Sequence, residues 1–459
     1  MSNTKVFLRT HPHLHYGNEK TVMLSESVVK RWKIPTRQPV VLRFGSAKHP
    51  VRIIPVSSSK NELRIGASLA FQLGLAPQGA TLRLAYRPAS RTLRLGPLVG
   101  VMLPRIMNVP GRRFGIITPF CRELTDACRS EGVFVYFFTP HDLRSTSEKV
   151  EGWTLMGQEY KASFPVPDVI YNRLPSRRLD GLPELQLFLN RAKTVFGTRV
   201  FNEKYLDKTE VFSALRKYKP ARRYLPESHP YTGTAQLRRM CTRYRTVFLK
   251  PVTGSLGKGI IRITRKLSGG GYQVDVSTVG TNTRQSYASL DALIRALAGK
   301  LKVNRYQIQR GLELIRVGTR PVDFRALAQK DRNGKWHITS VVARIAGSER
   351  FVSNVAQGGT IAPVKQTVAK SNLAAGKAGV TERLKQAAAV IARGIDACIP
   401  AHFGELGIDL AVDRSSGRVW LLEVNSKPAK NDSGLLNEAQ GIRPSVRLLV
   451  QYFRHLANL

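Results

Sequence analysis

The chain has 459 residues, with 73 Lys and Arg against 31 Asp and Glu, a formal net charge of +42 and a pI near 10.8. Apolar residues make up 42% and aromatic residues 8%, enough to bury real cores, so the charge does not imply disorder. Cys121, Cys128, Cys241 and Cys398 form no CxxC pair and are too few for a disulfide framework, which argues against a thiolate zinc site and for a reducing compartment. The segment MSNTKVFLRTHPHLHYG lacks the apolar stretch of a signal peptide. The densest apolar run, Val133 to Phe138, falls far short of the roughly 18 residues of a spanning helix. A soluble or at most peripheral protein of about two to four domains is expected.

The charge is uneven. Residues 1–96 carry 16 basic and 3 acidic residues, residues 97–200 carry 14 and 10, and residues 201–459 carry 43 and 18. The excess therefore marks both ends and nearly skips the middle. It reads either as a basic solubility surface or as the footprint of a polyanionic partner. No RNP-type aromatic motif, paired zinc-finger spacing or basic heptad helix is present, which disfavours specific nucleic-acid binding.

Residues 1–96 contain a weak internal repeat. VMLSESVVKRWKIPTRQPVVLRFG (22–45) resembles LRIGASLAFQLGLAPQGATLRLAY (63–86). Each copy reads as a short strand, a small residue (Ser25, Gly66) opening a short helix, a Pro-containing turn (Pro35, Pro77) and an alternating strand. Two such units predict a small pseudo-symmetric β-barrel similar to a double-psi barrel. Residues 97–200 read as α/β. LVGVML, VFVYFFT and DVIYNRL are strands, and a helix over 120–131 stops at Gly132, together predicting a small parallel sheet. In residues 201–459 a helix opens near Asp207. TVFLKPVTGSLGKGIIRI reads as two strands around a glycine-rich turn, and YQIQRGLEL, VDFRALAQKD, WHITSVVARIA, LGIDLAVD and RVWLLEVNSKP read as further strands. Helices are expected near 289–299, 380–397 and 434–455.

Three groups of residues carry chemistry. Between Lys250 and Gly259, Gly254, Ser255, Gly257 and Gly259 form a loop whose backbone N–H groups can lie on phosphate oxygens. An ordinary hairpin turn is the competing reading; Lys250 at the end of the first strand favours the phosphate. The spacing is neither a Walker A nor a Rossmann fingerprint. Second, Asp409, Glu423 and Asn425 sit in apolar strands. Glu423 and Asn425, two apart, share a face, and Ser415-Ser416-Gly417 signals a hairpin that brings Asp409 to them. Two carboxylates and an amide oxygen suit Mg²⁺. Third, Arg325 shares a strand face with Asp323, Arg344 lies on another strand, and Asn354, Gly358 and Gly359 belong to a polar loop. These cations can stabilise charge in phosphoryl or acyl transfer; structural Asp–Arg pairing is the competing reading, for Asp323 more than for Arg344. His11, His13, His15, His337 and His402 show no spacing that marks a general base, and Cys241 and Cys398 read as packing residues.

The order of these features resembles the ATP-grasp superfamily over roughly residues 97–455. PDVIYNRLP (167–175), FLKPVTGSLGKGI, LGIDLAVD and LLEVNSKP resemble more closely the YheC/YheD family, called endospore coat-associated. The resemblance implies an α/β, more specifically α+β, ATP-grasp fold. Its expected parts are an α/β pre-grasp domain at 97–200 and the ATP-grasp domain at 201–459, preceded by the basic β-rich domain read from the repeat at 1–96. It implies ATP and Mg²⁺ as cofactors. Lys208, Lys250, Gly254, Ser255, Gly257, Gly259, Gln309 and Glu313 would bind nucleotide, with Glu313 on the ribose. Asp409, Glu423 and Asn425 would hold metal, and Arg325, Arg344 and Asn354 would serve catalysis. One position departs. D-alanine ligase-like members carry an arginine two residues before the metal-binding acid, where this chain has Gly407, so Arg344 or Arg325 would have to replace it.

The activity implied is an ADP-forming carboxylate–amine ligase working through an acyl phosphate, with a carboxylate substrate and an amine acceptor. The alternatives are an ATP-grasp kinase without ligation and a non-catalytic spore-coat protein that keeps a nucleotide site. The intact metal triad favours retained nucleotide chemistry. The resemblance implies a cytoplasmic protein that becomes spore-coat associated. The unused basic charge points to an anionic polymer or assembly surface as a further partner.

Overall fold

The computed structural model describes residues 3–11, 20–76, 79–143, 146–253, 258–278, 282–303, 305–347, 358–430 and 441–459. The first 96 residues close into a barrel. Its strands are β1 (Asn3–His11), β2 (Thr21–Ser25), β3 (Val40–Phe44), β4 (Ala47–Val56), β5 (Glu62–Gly66), β6 (Ala80–Arg87) and β7 (Thr92–Gly96), in the order β1-β5-β2-β4-β3-β7-β6. The two repeat copies are β2–α1–β3 and β5–α2–β6, with α1 at Glu26–Trp32 and α2 at Ala67–Gln72. Their first strands pair antiparallel, Val22 opposite Ile65 and Leu24 opposite Leu63. Ser25 precedes α1 but does not cap it. Its hydroxyl donates to the Lys60 carbonyl (2.8 Å) and accepts from the Glu62 amide (2.6 Å), tying one copy to the other. Pro35 lies in the α1–β3 connection, whereas Pro77 is outside the described residues.

The second sheet contains β8 (Leu98–Met102), β9 (Phe134–Phe138), β10 (Lys149–Thr154), β11 (Tyr160–Pro165), β12 (Val169–Asn172) and β13 (Arg199–Phe201). Its helices are α3 (Thr118–Glu131), α4 (Arg177–Asp180) and α5 (Pro183–Thr194). Gly132 ends α3 at φ 71°, in the left-handed region open to glycine. Strands β9, β8, β12 and β13 are parallel as expected. The expectation of a wholly parallel sheet fails at one edge. There β10 and β11 form an antiparallel hairpin, turning through Gly157 at φ 85°, and β10 pairs antiparallel with β9.

The remaining chain builds two further sheets. One has β14 (Ser228–Pro230), β15 (Thr246–Pro251), β16 (Ile261–Arg265), β17 (Tyr272–Ser277), β18 (Asn282–Tyr287) and β19 (Tyr306–Arg310), in the order β14-β19-β15-β16-β17-β18. Helices α7 (Thr234–Arg243) and α8 (Leu290–Val303) follow α6 (Lys208–Lys217) in sequence. They bury Leu237, Met240, Cys241, Leu293 and Leu297 against this sheet in a core of its own. The other sheet has β20 (Arg316–Val317), β21 (Arg320–Lys330), β22 (Trp336–Ile345), β23 (Thr360–Pro363), β24 (Glu405–Val412) and β25 (Val419–Asn425). Its order is β23-β22-β21-β24-β25, with β20 on β21. After α9 (Val364–Ala369), α10 (Val380–Cys398) covers its apolar face together with α6.

The last helix, α11 (Pro444–Ala457), starts later than its periodicity suggested; residues 431–440 lie outside the described set. It packs not on the fourth sheet's core but on the first one. There Val446, Leu449, Val450 and Phe453 join a continuous cluster with the barrel and the second sheet. Phe201 sits at the seam. It stacks on Tyr171 at 4.8 Å and 9°, contacts Phe453, and fills the space that a side chain at Gly404 would need. Among the described residues no helix is long and apolar enough to cross a membrane. Phe201→Ala should cost about 3–5 kcal/mol of stability, read as a lower urea midpoint with an unchanged slope.

Candidate functional site

Strand alternation decides which side chains meet. On β21, Val322, Phe324, Ala326 and Ala328 point into the core under α10, so Asp323, Arg325, Leu327 and Gln329 point the other way. On β24 the same logic puts Ile408 and Leu410 inside and Glu405, Gly407 and Asp409 on the opposite face. Register then lines up Arg344 with Asp323, Arg325 with Asp409, Asp409 with Glu423, and Gly407 with Asn425. One polar row crosses four strands. It faces the third sheet across a cavity of about 760 Å³, lined among others by Lys208, Phe248, Lys250, Arg262, Gln309, Glu313, Asp323, Arg344, Asp409 and Glu423.

Asp409 is the electrostatic centre of the row. It accepts two bonds from Arg325 and one from Arg344 at 3.0 Å, while Arg344 also holds Asp323 at 2.6 and 2.9 Å. Burial raises the Asp409 carboxyl pKa, but the two guanidiniums outweigh it and leave the group below its ordinary value. The same pairing drives Arg344 upward against its own desolvation. The structural pairing weighed for Asp323 is therefore present, and it extends to the metal candidate. Glu423 is met by Lys208, the first residue of α6, at 3.2 Å. Asp207 starts that helix by accepting the Glu210 amide at 2.7 Å.

The third sheet supplies the other wall. Lys250 donates to Gln309 Oε1 at 2.5 Å, and Gln309 Nε2 donates to Ser228 Oγ at 2.7 Å. Burial pushes the Lys250 ammonium down to about 8; Glu423 opposes this and Lys208 adds to it. Gly259 takes φ 76°, and a Cβ there would meet Pro251 Cγ at 3.2 Å. Gly254, Ser255 and Gly257 lie outside the described residues, as does Asn354. Gly358 and Gly359 are described just before β23, with Gly358 at φ 84°. Glu313 stands exposed at the rim, 3.5 Å from Arg414.

Sequence reasoning missed several pocket residues. Arg262 reaches the cavity from β16, held at 2.9 Å by Asp275, whose other oxygen binds Arg284 at 2.7 Å. Arg310 lies over Trp420 at 4.4 Å where the two sheets join. Arg262 follows from alternation after Ile260; Arg310 had no sequence signal beyond its place beside Gln309. Among the described residues no three His, Cys, Asp or Glu form a metal-binding group, and Asn425, the expected third donor, is not among the residues that line the cavity with Asp409 and Glu423. His402 is structural. Its Nε2 lies 2.6 Å from the Tyr452 hydroxyl and its Nδ1 2.7 Å from the Val200 carbonyl, and burial lowers its pKa.

Removing Arg344 takes a cation from between two buried carboxylates. Arg344→Met should destabilise the chain by about 3–5 kcal/mol, checked by chemical denaturation.

A family model described as YheC/D-like ATP-grasp matches residues 197–456. Two relatives come from Bacillus subtilis (strain 168). The endospore coat-associated protein YheD is 27% identical over 342 residues, covering 74% of each chain. The endospore coat-associated protein YheC is 21% identical over 332 residues, covering 68% of this chain and 85% of its own. Among solved structures, D-cycloserine synthetase DcsG aligns with TM-score 0.45 at 14% identity, over 77% of this chain and 99% of its own. With the matching model spanning more than half of the sequence, the chain belongs to the YheC/YheD-like ATP-grasp family.

Proposed function

We propose that the cleft between the third and fourth sheets binds Mg²⁺-ATP and drives an ADP-forming carboxylate–amine ligation. The observation that carries this reading is the convergence in one cavity of Lys208, Lys250 and Gln309 with the paired acids Asp409 and Glu423. The units proposed are a basic barrel at 1–96, a pre-grasp domain at 97–200 and an ATP-grasp domain at 201–459, with α11 returning to the core shared by the barrel and the second sheet.

The donor set fits the metal. Asp409 and Glu423 are directly opposite in register, Asn425 follows on the same face of β25, and all three are hard oxygen donors. Both carboxylates are paired with cations, Asp409 with Arg325 and Arg344 and Glu423 with Lys208, so a metal bound there would share their oxygens with these groups. Mg²⁺ bound there would neutralise phosphate charge and orient the γ-phosphoryl group. The chain's own residues do the rest. Gln309 and Glu313 bracket the nucleoside end, and Lys250 and Lys208 hold phosphate oxygens. Gly254, Ser255, Gly257 and Gly259 would cover the phosphates and keep water from the reaction. A substrate carboxylate oxygen takes the γ-phosphoryl group and ADP leaves. An amine then attacks the acyl carbon and phosphate leaves with the carboxyl oxygen it received. Arg325, Arg344 and Asn354 are proposed to stabilise the charge that builds up on the carbonyl.

Arg325 is also the candidate replacement for the arginine missing at position 407. Its Cδ and Nη1 lie 3.5 Å from where a Gly407 side chain would begin. The barrel charge has a separate role. Ser46 donates its amide to Val166, and Arg94 binds Asp168 at 3.0 Å, so the barrel sits at the opening ends of β8 and β12, away from the cleft. We assign it an anionic polymer or a spore-coat surface as partner.

Incubation with Mg²⁺-ATP and a panel of amino acids, peptides and anionic polymers should release ADP only when a carboxylate and an amine are both present. Glu423→Ala should abolish it. ADP release without an amine would instead indicate a kinase, and an unaffected Glu423→Ala variant would overturn the site. Nucleotide affinity should also fall above pH 8. There free Lys250 is losing the proton that phosphate binding requires, amid Glu423, Asp409, Asp323 and Lys208. Isothermal titration from pH 7 to 9.5 should show the dissociation constant rising toward about tenfold per pH unit.

A further inference from the structure

The PDVIYNRLP motif has no place in the nucleotide chemistry, yet its polar side chains are buried and bonded. Asp168, before β12, binds Arg94 and the Leu98 amide at 3.0 Å each, on the barrel side. Tyr171, Asn172 and Arg173, at the other end of β12, reach toward the fourth sheet. Tyr171 donates to Glu405, a carboxylate with no solvent exposure at the start of β24. Arg173 Nη1 donates to Glu405 at 3.3 Å and to the Pro428 carbonyl at 2.8 Å. Asn172 donates to Asp180 at 2.7 Å.

Those partners converge on the segment that follows Asn425. Lys427 binds Asp180 at 2.8 Å, and Lys430 binds Glu405. Three bonded routes thus run from one strand of the second sheet to Lys427, Pro428 and Lys430. Pro428 in turn presses on the triad strands: its Cβ lies 3.0 Å from where a Gly407 side chain would start, and Gly407 is the register partner of Asn425. A carboxylate buried this deeply is expensive unless its cations are fixed, so the arrangement tolerates little movement.

We propose that Arg173 is a positioning residue for the metal triad: by gripping Glu405 and the Pro428 carbonyl together, it sets the height of the Lys427–Lys430 segment over Gly407 and so the placement of Asn425 beside Asp409. This rests on the Mg²⁺-ATP reading of the cleft. It assigns the YNR part of the motif a task in phosphate-site geometry rather than in substrate contact. Residues behind metal ligands act this way, holding the ligand where the ion needs it.

The test separates metal-linked from metal-independent binding. ADP affinity is measured by titration calorimetry in excess Mg²⁺ and again in EDTA, with thermal unfolding of the ligand-free protein alongside. For Arg173→Met, ADP affinity in EDTA should stay at the wild-type value, while affinity in Mg²⁺ weakens by about tenfold or more. Arg173→Lys, which keeps a donor and the charge, should restore most of it. If Arg173→Met does not fold, Arg173→Gln carries the same comparison. Equal losses in Mg²⁺ and EDTA, no loss in either, or failure of both variants to fold would overturn the positioning role. A wild-type protein whose ADP affinity gains nothing from Mg²⁺ would overturn the nucleotide-site reading and this proposal together. A normal wild-type gain with an unchanged variant overturns this proposal alone.

Discussion

The Asp409 carboxyl keeps a pKa below its ordinary value inside a sheet because Arg325 reaches it from the adjacent strand β21 and Arg344 from β22 beyond. Without them, desolvation would push the carboxyl toward its neutral form, and the face of β24 would offer no anion to a metal. With them, the sheet carries a fixed alternation of charge: Arg344 between Asp323 and Asp409, Arg325 on Asp409, Lys208 on Glu423. Much of the architecture serves that alternation. The apolar faces under α10 and α6 force the charged side chains onto one side. The β24–β25 hairpin sets Asp409 against Glu423, and α6 delivers Lys208 from its first turn.

The same physics extends away from the cleft. Glu405 lies four residues before Asp409 on the same strand face, and it too is balanced by cations, here Arg173 and Lys430. Burial raises the Glu405 carboxyl, yet Lys430 and Arg173 bring it below its ordinary value, while burial lowers Lys430 to about 8. Between the two carboxylates lies Gly407, where the absence of a side chain admits both Pro428 and Arg325. One strand thus carries two buried acids, one facing the cleft between the third and fourth sheets and one facing the second sheet. The third sheet, with a core of its own, is the part least bound to this charge network.

How much of this was legible depended on whether the signal was local. Asp409 and Glu423 stood out because acids are scarce and these two interrupt apolar runs, and Ser415-Ser416-Gly417 predicted the hairpin that joins them. The barrel's repeat was legible because each copy keeps its own alternation. Strand β4 was not, since Pro50 and Pro55 argue against a strand; it survives by pairing its first half with β3 and its second half with β2. The β10–β11 hairpin was missed for want of a clear alternation. The grip of Arg344 on Asp409 skips across β21, and the meeting of Arg173, Glu405 and Lys430 joins residues more than 200 positions apart. No spacing rule reports such contacts. The +42 charge gains resolution as well: around Asp409, Glu423 and Glu405 the cations are almost wholly balanced by carboxylates, so the excess lies outside this network, part of it on the barrel.

The most direct measurement is anomalous diffraction from Mn²⁺ in crystals grown with a non-hydrolysable ATP analogue. An anomalous peak is expected at coordination distance from oxygens of Asp409, Glu423 and Asn425, beside the analogue's phosphates and within reach of Lys208 and Lys250. Nucleotide bound in another cavity, or Mn²⁺ held without these three residues, would contradict it.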